Sequence, residues 1–198
     1  MPVLAAVPVK RFFVAKRRLA PLLPARARSR LGRDLARHTM TAVAQAGAEV
    51  IALAADSHVA AWAKENGWDA VEDPGGGLDG AATAFAAAAS SRERPWLVIH
   101  ADLPLLRAAD LAPALDALET GDCPIAPSDD GGTSLVGGTA PMRFSYGPGS
   151  FHRHLARLPG PRVVVRKGLV LDLDGPADFA AASLDPNGAW LRRYGAGT

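Results

Sequence analysis

Three short, almost wholly apolar runs, residues 3–9, 49–54 and 96–100, each stop at a polar loop. A run of that length suits a strand better than a helix, and a strand apolar on both faces has to be covered on both. Segments of helical character separate the runs. They lie at 27–46, closed by Gly47, at 59–65 with Ser57 as the cap, at 81–90, 109–118 and 150–158, and at 176–182, opening on Pro176. Shorter strands are expected at 70–71, 124–127, 133–136, 163–165 and 169–174. Strands and helices alternating in this way predict an α/β fold, with a mostly parallel central sheet between two layers of helices. Residues 1–183 read as one domain and 184–198 as a loose C-terminal tail. Ligands of such sheets bind beyond the carboxyl ends of the strands. That gathers the loops at 10–18, 56, 75–80, 102, 128–132 and 172–174 around one crevice.

Bulk properties narrow the function. The single cysteine, Cys123, allows neither an intrachain disulfide nor a Cys-based zinc site. Its apolar neighbours predict a buried structural thiol. No apolar run is long enough to span a membrane, and the opening run 2–7 is too short for a secretory segment. A cytoplasmic protein without a membrane partner is expected. The net charge of +2 hides an asymmetry. Residues 1–37 carry ten Lys and Arg against one acid, Asp34, and the rest carries 22 − 10 = 12 basic and 20 − 1 = 19 acidic residues. Such a stretch can mark a nucleic-acid surface, but no regular interleaving of aromatic residues supports that. The other reading is a site where cations meet phosphates and carboxylates meet a metal. Part of the charge, 26–37, reads as a solvated helix face.

Asp102 follows an apolar strand and precedes a Leu-Pro break; Asp172 and Asp174 close the last predicted strand, two apart and so on one face. Carboxylates gathered at one sheet edge repel unless a cation lies among them, and Mg²⁺ takes oxygen ligands together with phosphates and waters. Helix capping by Asp102 and by Asp174 is the alternative. Pro8, Lys10, Lys16 and Arg18 stand where the first strand gives way to its loop. No glycine-rich phosphate loop occurs there, so the charge of a triphosphate falls to Lys and Arg side chains; a solvated basic loop is the alternative. Gly75 to Gly77, Leu78, Asp79 and Gly80 precede a helix. Glycines let backbone N–H groups approach a base or phosphate, and they also mark ordinary loops. Thr133 and Ser150 each follow a glycine-rich turn, the second containing Gly147, and Ser150 reads as a helix N-cap. They either hold an anion between them or serve plain turn-and-cap chemistry. His154 lies four residues after Ser150 on the same face, unlike His152. His38 and His58 read as surface residues.

Taken in order, Val7-Pro8-Val9-Lys10, Ala15 through Ala20, Gly77-Leu78-Asp79, Ala101-Asp102-Leu103-Pro104, Asp130 through Ser134, Tyr146 through Phe151 with His154, and Leu171 through Asp178 resemble one family. It is that of the 2-phospho-L-lactate or phosphoenolpyruvate guanylyltransferases of coenzyme F-420 biosynthesis, and the resemblance spans about residues 3–180. It implies a three-layer, Rossmann-like nucleotidyltransferase fold, similar to the molybdenum-cofactor and sugar-phosphate nucleotidyltransferases, whose glycine-rich opening is absent here. It implies GTP as substrate and Mg²⁺ as cofactor, the metal held by Asp102 with Asp172 or Asp174. Nucleotide contacts are implied at Pro8, Lys10, Lys16, Arg18, Gly77, Leu78 and Asp79, with Lys16, Arg18 and Asp102 catalytic. Thr133, Gly147 and Ser150 would hold a small phosphorylated carboxylic acid: phosphoenolpyruvate, 2-phospholactate or, as in some relatives, 3-phosphoglycerate. The family usually has Asn where Asp79 stands and often at Ser134. GTP and the phospho-acid are the expected partners, nucleic acid is not, and a homodimer is left open. Two other readings remain: a sugar-phosphate nucleotidyltransferase or Asp-x-Asp glycosyltransferase of similar fold, and a catalytically silent nucleotide-binding module.

Overall fold

The computed structural model describes residues 2–73 and 75–195; Pro74 of the glycine-rich loop and 196–198 of the tail lie outside the described residues. Strands β1 (Leu4–Val9), β2 (Glu49–Ala54), β3 (Asp69–Glu72), β4 (Trp96–Ile99), β5 (Cys123–Pro127), β6 (Thr133–Gly138) and β7 (Pro161–Val163) form one sheet. Their order is β3-β2-β1-β4-β6-β5-β7. β6 runs antiparallel to both neighbours, and every other pairing is parallel. The mostly parallel sheet expected from the alternation is present, with one reversed strand.

The two-residue period of a strand explains why these runs are apolar throughout. In β1, Ala5, Val7 and Val9 pack with α1 (Ala25–Gln45), α2 (Ser57–Glu65) and α4 (Ala108–Glu119), whereas Leu4 and Ala6 pack with α3 (Gly77–Ser90). In β4, Leu97 and Ile99 take the first side; Trp96 and Val98 take the second, which α5 (Ser150–Leu155) also covers. On α1, Ala36, Met40 and Val43 recur at helical spacing and are buried. Burying a side chain the size of Met40 or Val43 contributes about 1.5–3 kcal/mol. No helix among the described residues is long and apolar enough to cross a membrane.

Several local expectations do not hold. Residues 169–174 are not a strand. Lys167–Val170 is one helical turn, α6, and 171–174 belongs to no strand of the sheet. It is tied down instead by Leu173 N donating to Asp102 O at 2.9 Å and by burial of Leu173. β7 occupies 161–163 rather than 163–165. Ser57 does not cap α2; Asp56 does, its Oδ1 accepting from Val59 N at 2.9 Å. Residues 184–195 are no loose tail. α7 (Pro176–Leu184) leads into a 3-10 helix (Pro186–Leu191) and α8 (Arg192–Gly195). Leu191 is fully buried, Trp190 Nε1 donates to Pro104 O at 3.1 Å, and Arg193 Nη2 reaches Asp34 of α1 at 2.7 Å. His38 is half-buried rather than at the surface, stacked on Trp190. Cys123 is buried, as expected.

Candidate active site

Beyond β1 the chain makes a basic loop whose ends are pinned by apolar residues. Phe12 is buried edge-on against Trp62, ring centroids 5.0 Å apart, and Leu19 is fully buried. At Gly32 of α1 an added Cβ would lie 3.1 Å from the Cβ of Ala15, so helix and loop touch. Lys16, between the two pins, has φ 53°. That left-handed backbone costs a side-chain-bearing residue about 1–2 kcal/mol. Ion pairs hold it: Lys16 Nζ lies 2.8 Å from Asp102 Oδ2 and 3.5 Å from Asp174 Oδ1. Arg18, which stays exposed, lies 3.6 Å from the other oxygen of Asp174.

Neither Asp102 nor Asp174 caps a helix. Arg107 precedes α4, and α7 follows Gly175, with Asp178 accepting from Asp174 N and Gly175 N. Burial alone would raise the Asp102 pKa, but Lys16, and then His100, hold the carboxyl well below the usual carboxylate range. Burial opposes the charge on Lys16 in turn, and Asp102, Asp174 and Asp172 together raise its pKa. Asp172 behaves differently. Burial first, then a hydrogen bond shared with Asp129, then the charges of Asp102, Asp174 and Asp130 push it up to about 8. Asp129 was not foreseen from the sequence; its signal was only its place in the loop between two short strands. Among the described residues no three His, Cys, Asp or Glu form a ready-made cation cage. The donors present are carboxylate oxygens, which fits Mg²⁺, an ion that takes one or two carboxylates and completes its shell with waters and substrate phosphates.

A cavity of about 730 Å³ lies elsewhere, between α1, α4 and Trp190. The one carrying this chemistry measures about 540 Å³ and lies beyond the carboxyl ends of β1 and β4. Pro8, Lys10, Lys16 and Arg18 line it, with Gly77 and Leu78 from the start of α3 and with Asp102 and Asp174. Asp79, Asp172, Thr133, Gly147 and Ser150 do not. His100 also lines it, a residue the sequence reading passed over. It ends the run that precedes Asp102, donates its backbone N–H to Ser134 O at 2.9 Å, and sets its ring 5.1 Å from that of Tyr146.

Thr133 and Ser150 do come together. Their hydroxyl oxygens are 3.2 Å apart, both residues are buried, and Thr133 Oγ1 lies 3.0 Å from His154 Nδ1. Ser150 is the first residue of α5 rather than its N-cap, which is Gly149. His154 Nε2 accepts from Ser145 N at 2.9 Å, so the ring proton sits on Nδ1 and is donated to Thr133. Burial, with Arg157 and Arg153 nearby, holds His154 down to about 4, and it is neutral at pH 7. Thr133 Oγ1 already accepts from His154. One hydroxyl hydrogen then joins the two hydroxyls, and the other is left to donate elsewhere. Gly147 is exposed with φ 101°. Asp79 Oδ1 accepts from Tyr146 N at 2.8 Å.

In fold the chain resembles solved nucleotidyltransferases. A solved nucleotidyl transferase from Methanothermobacter superposes with a TM-score of 0.60, covering 96% of this chain and 98% of that one at 15% identity. Within that class, the chain belongs to the family described as Guanylyl transferase CofC like, which it matches over residues 3–189. The phosphoenolpyruvate guanylyltransferase of Rubrobacter xylanophilus is 35% identical over 196 residues, 91% of this chain and 93% of the relative. The 2-phospho-L-lactate guanylyltransferase of Methanothermobacter thermautotrophicus is 32% identical over 203 residues, 98% of this chain and 90% of the relative.

Proposed function

We propose that this chain transfers GMP from GTP to phosphoenolpyruvate or 2-phospho-L-lactate and releases pyrophosphate, as a cytoplasmic step in making coenzyme F-420. The observation that carries this reading is Lys16, buried against Asp102 and Asp174 inside a cavity that also presents Lys10 and Arg18. Those three cations face the triphosphate, and Pro8, Gly77 and Leu78 seat the nucleoside. Thr133 and Ser150 direct their spare hydroxyl hydrogen at the acceptor, and Gly147 leaves room for it.

An acceptor phosphate oxygen attacks the α-phosphorus, the bond from that phosphorus to the bridging oxygen breaks, and pyrophosphate leaves with the electron pair. The second pKa of such a phosphate is about 6, so it arrives ionised and needs no general base. The protein's task is to bring two polyanions together and hold them in line. Asp102, with Asp172 or Asp174, would hold Mg²⁺, which neutralises charge on the phosphates.

The test is pyrophosphate release from each of GTP, ATP, CTP and UTP, with phosphoenolpyruvate, 2-phospho-L-lactate, 3-phosphoglycerate and a sugar phosphate as acceptors. Release from GTP with one of the first two is expected. Turnover only with a sugar phosphate, or none with any pair, refutes the reading.

A further inference from the structure

The segment 143–149 is gripped from two sides. From α3, Asp79 Oδ1 accepts from Tyr146 N at 2.8 Å, and Thr83 Oγ1, one turn on, accepts from Phe144 N at 3.2 Å. From α5, Arg153 donates to the carbonyls of Ser145 and Pro148 at 3.0 and 2.6 Å, and His154 accepts from Ser145 N. The backbone of the segment is thus bonded to both helices, through Phe144 and Tyr146 to α3 and through Ser145 and Pro148 to α5. His154 is the residue that also orients Thr133 and, through it, Ser150. On α3, Asp79 directly follows Gly77 and Leu78, which line the cavity. Asp79 is thus bonded to the acceptor side and covalently continuous with the nucleoside side.

We propose that Asp79 is a positioning residue that couples the two halves of the site: a nucleotide seated on Gly77 and Leu78 fixes the first turn of α3, and Asp79 carries that constraint to Tyr146 and on to the turn at Gly147. This rests on the assignment of the two half-sites proposed above. Coupling of this kind is reciprocal, so each ligand tightens the other by the same factor. A carboxylate or a side-chain amide oxygen can accept from Tyr146 N, and a methyl group cannot.

The experiment is calorimetric titration of phosphoenolpyruvate, with Mg²⁺ present, into protein with and without a saturating non-hydrolysable GTP analogue. For the unaltered chain the analogue is expected to tighten phosphoenolpyruvate binding about tenfold, within the usual range of such couplings. Asp79→Ala should reduce that factor below about twofold, and Asp79→Asn should retain it. Thr83→Val, which removes the neighbouring bond to the same segment, should retain it as well; a plain anchoring role would weaken both alike. Should Asp79→Ala fail to fold, Asp79→Ser, whose shorter side chain cannot span the gap, is read in its place. Coupling in the Asp79→Ala protein equal to that of the unaltered chain overturns the proposal, as does equal loss in Asp79→Asn. If the unaltered chain binds both ligands without coupling, this inference alone fails; if it binds neither, the proposed function fails with it.

Discussion

Replacing Lys16 by Met keeps the length and apolar stem of the side chain and deletes its charge. At 2.8 Å from Asp102, with an effective dielectric constant of about 20, the deleted attraction is about 6 kcal/mol. Desolvating the two ions offsets several kcal/mol of it. The side chains are 9% and 18% exposed, and a net coupling of about 2–3 kcal/mol is expected. A chain of this size shifts its Tm by about 2–4 °C per kcal/mol, so Lys16→Met should melt about 4–12 °C below the unaltered protein. Asp102→Asn strands Lys16 instead. The double variant strands neither charge and should lose about 2–3 kcal/mol less than the sum of the singles. The pH sign follows from Asp102, whose folded pKa is depressed. Its contribution is present above the unfolded carboxylate pKa of about 4 and is lost as pH falls. The gap between the unaltered protein and Lys16→Met should therefore be widest near neutrality and narrow on acidification. Chemical denaturation of the four proteins at pH 7 and well below the unfolded carboxylate pKa, at about pH 2, measures this. Additivity within about 0.5 kcal/mol at pH 7, or a gap indifferent to pH, would refute the ion-pair account.

Three further outcomes are expected. Pyrophosphate release should fall to background in EDTA and return with Mg²⁺; undiminished turnover under chelation excludes a resident divalent ion. Arg18→Ala should raise the KM for GTP about tenfold, the loss of one charge-assisted hydrogen bond, and leave the acceptor KM and Tm nearly unchanged. An unaltered KM for GTP would make the basic loop a solvated surface. His154, held down to about 4 in the fold, binds fewer protons there than in the unfolded chain between about pH 6.5 and pH 4. Stability should fall across that window by about 2 kcal/mol after solvent screening, and the slope should flatten in His154→Gln, measured by urea unfolding at stepped pH.

Much of the frame was legible because it depends on local chemistry. The runs at 3–9, 49–54 and 96–100 are apolar on both faces, and only a doubly covered sheet buries both. Asp102 stood out because a carboxylate directly after such a strand tops the sheet. Leu169, Leu171 and Leu173 misled for the same reason that the others informed. Alternation marks an extended or half-buried stretch, but whether a neighbouring strand is there to pair with is decided elsewhere in the chain. Here Leu173 N pairs with Asp102 O instead. Asp172 and Asp174 accordingly do not act as two oxygens of one strand face: Asp174 lines the cavity and Asp172 is buried beside Asp129. The residues 184–195 hid their packing because Pro186, Asn187 and Gly188 interrupt any helical period. Their contacts with Pro104 and Asp34 are long-range. So is the Lys16–Asp102 pair, whose members stand 86 positions apart, which no local pattern announces.

Charge arithmetic at the cavity explains why metal removal is the most discriminating of these tests. Lys10, Lys16, Arg17 and Arg18 bring four formal positive charges to it, and Asp73, Asp102 and Asp174 bring three negative ones. Asp172 does not line it. The residual single positive charge is too small for a triphosphate, and an anionic acceptor makes the deficit larger. Side chains alone can attract the nucleotide, because Lys10 and Arg18 lie exposed at the mouth and steer anions from solution. They cannot hold two polyanions within reacting distance, since Lys16 is already engaged by two carboxylates. Binding and turnover should therefore separate under chelation. GTP should still associate in EDTA, weakened but measurable and sensitive to salt, while pyrophosphate release stops. If instead chelation abolishes GTP binding outright, the cations of the loop contribute little and the carboxylates with their metal are the nucleotide's main anchor.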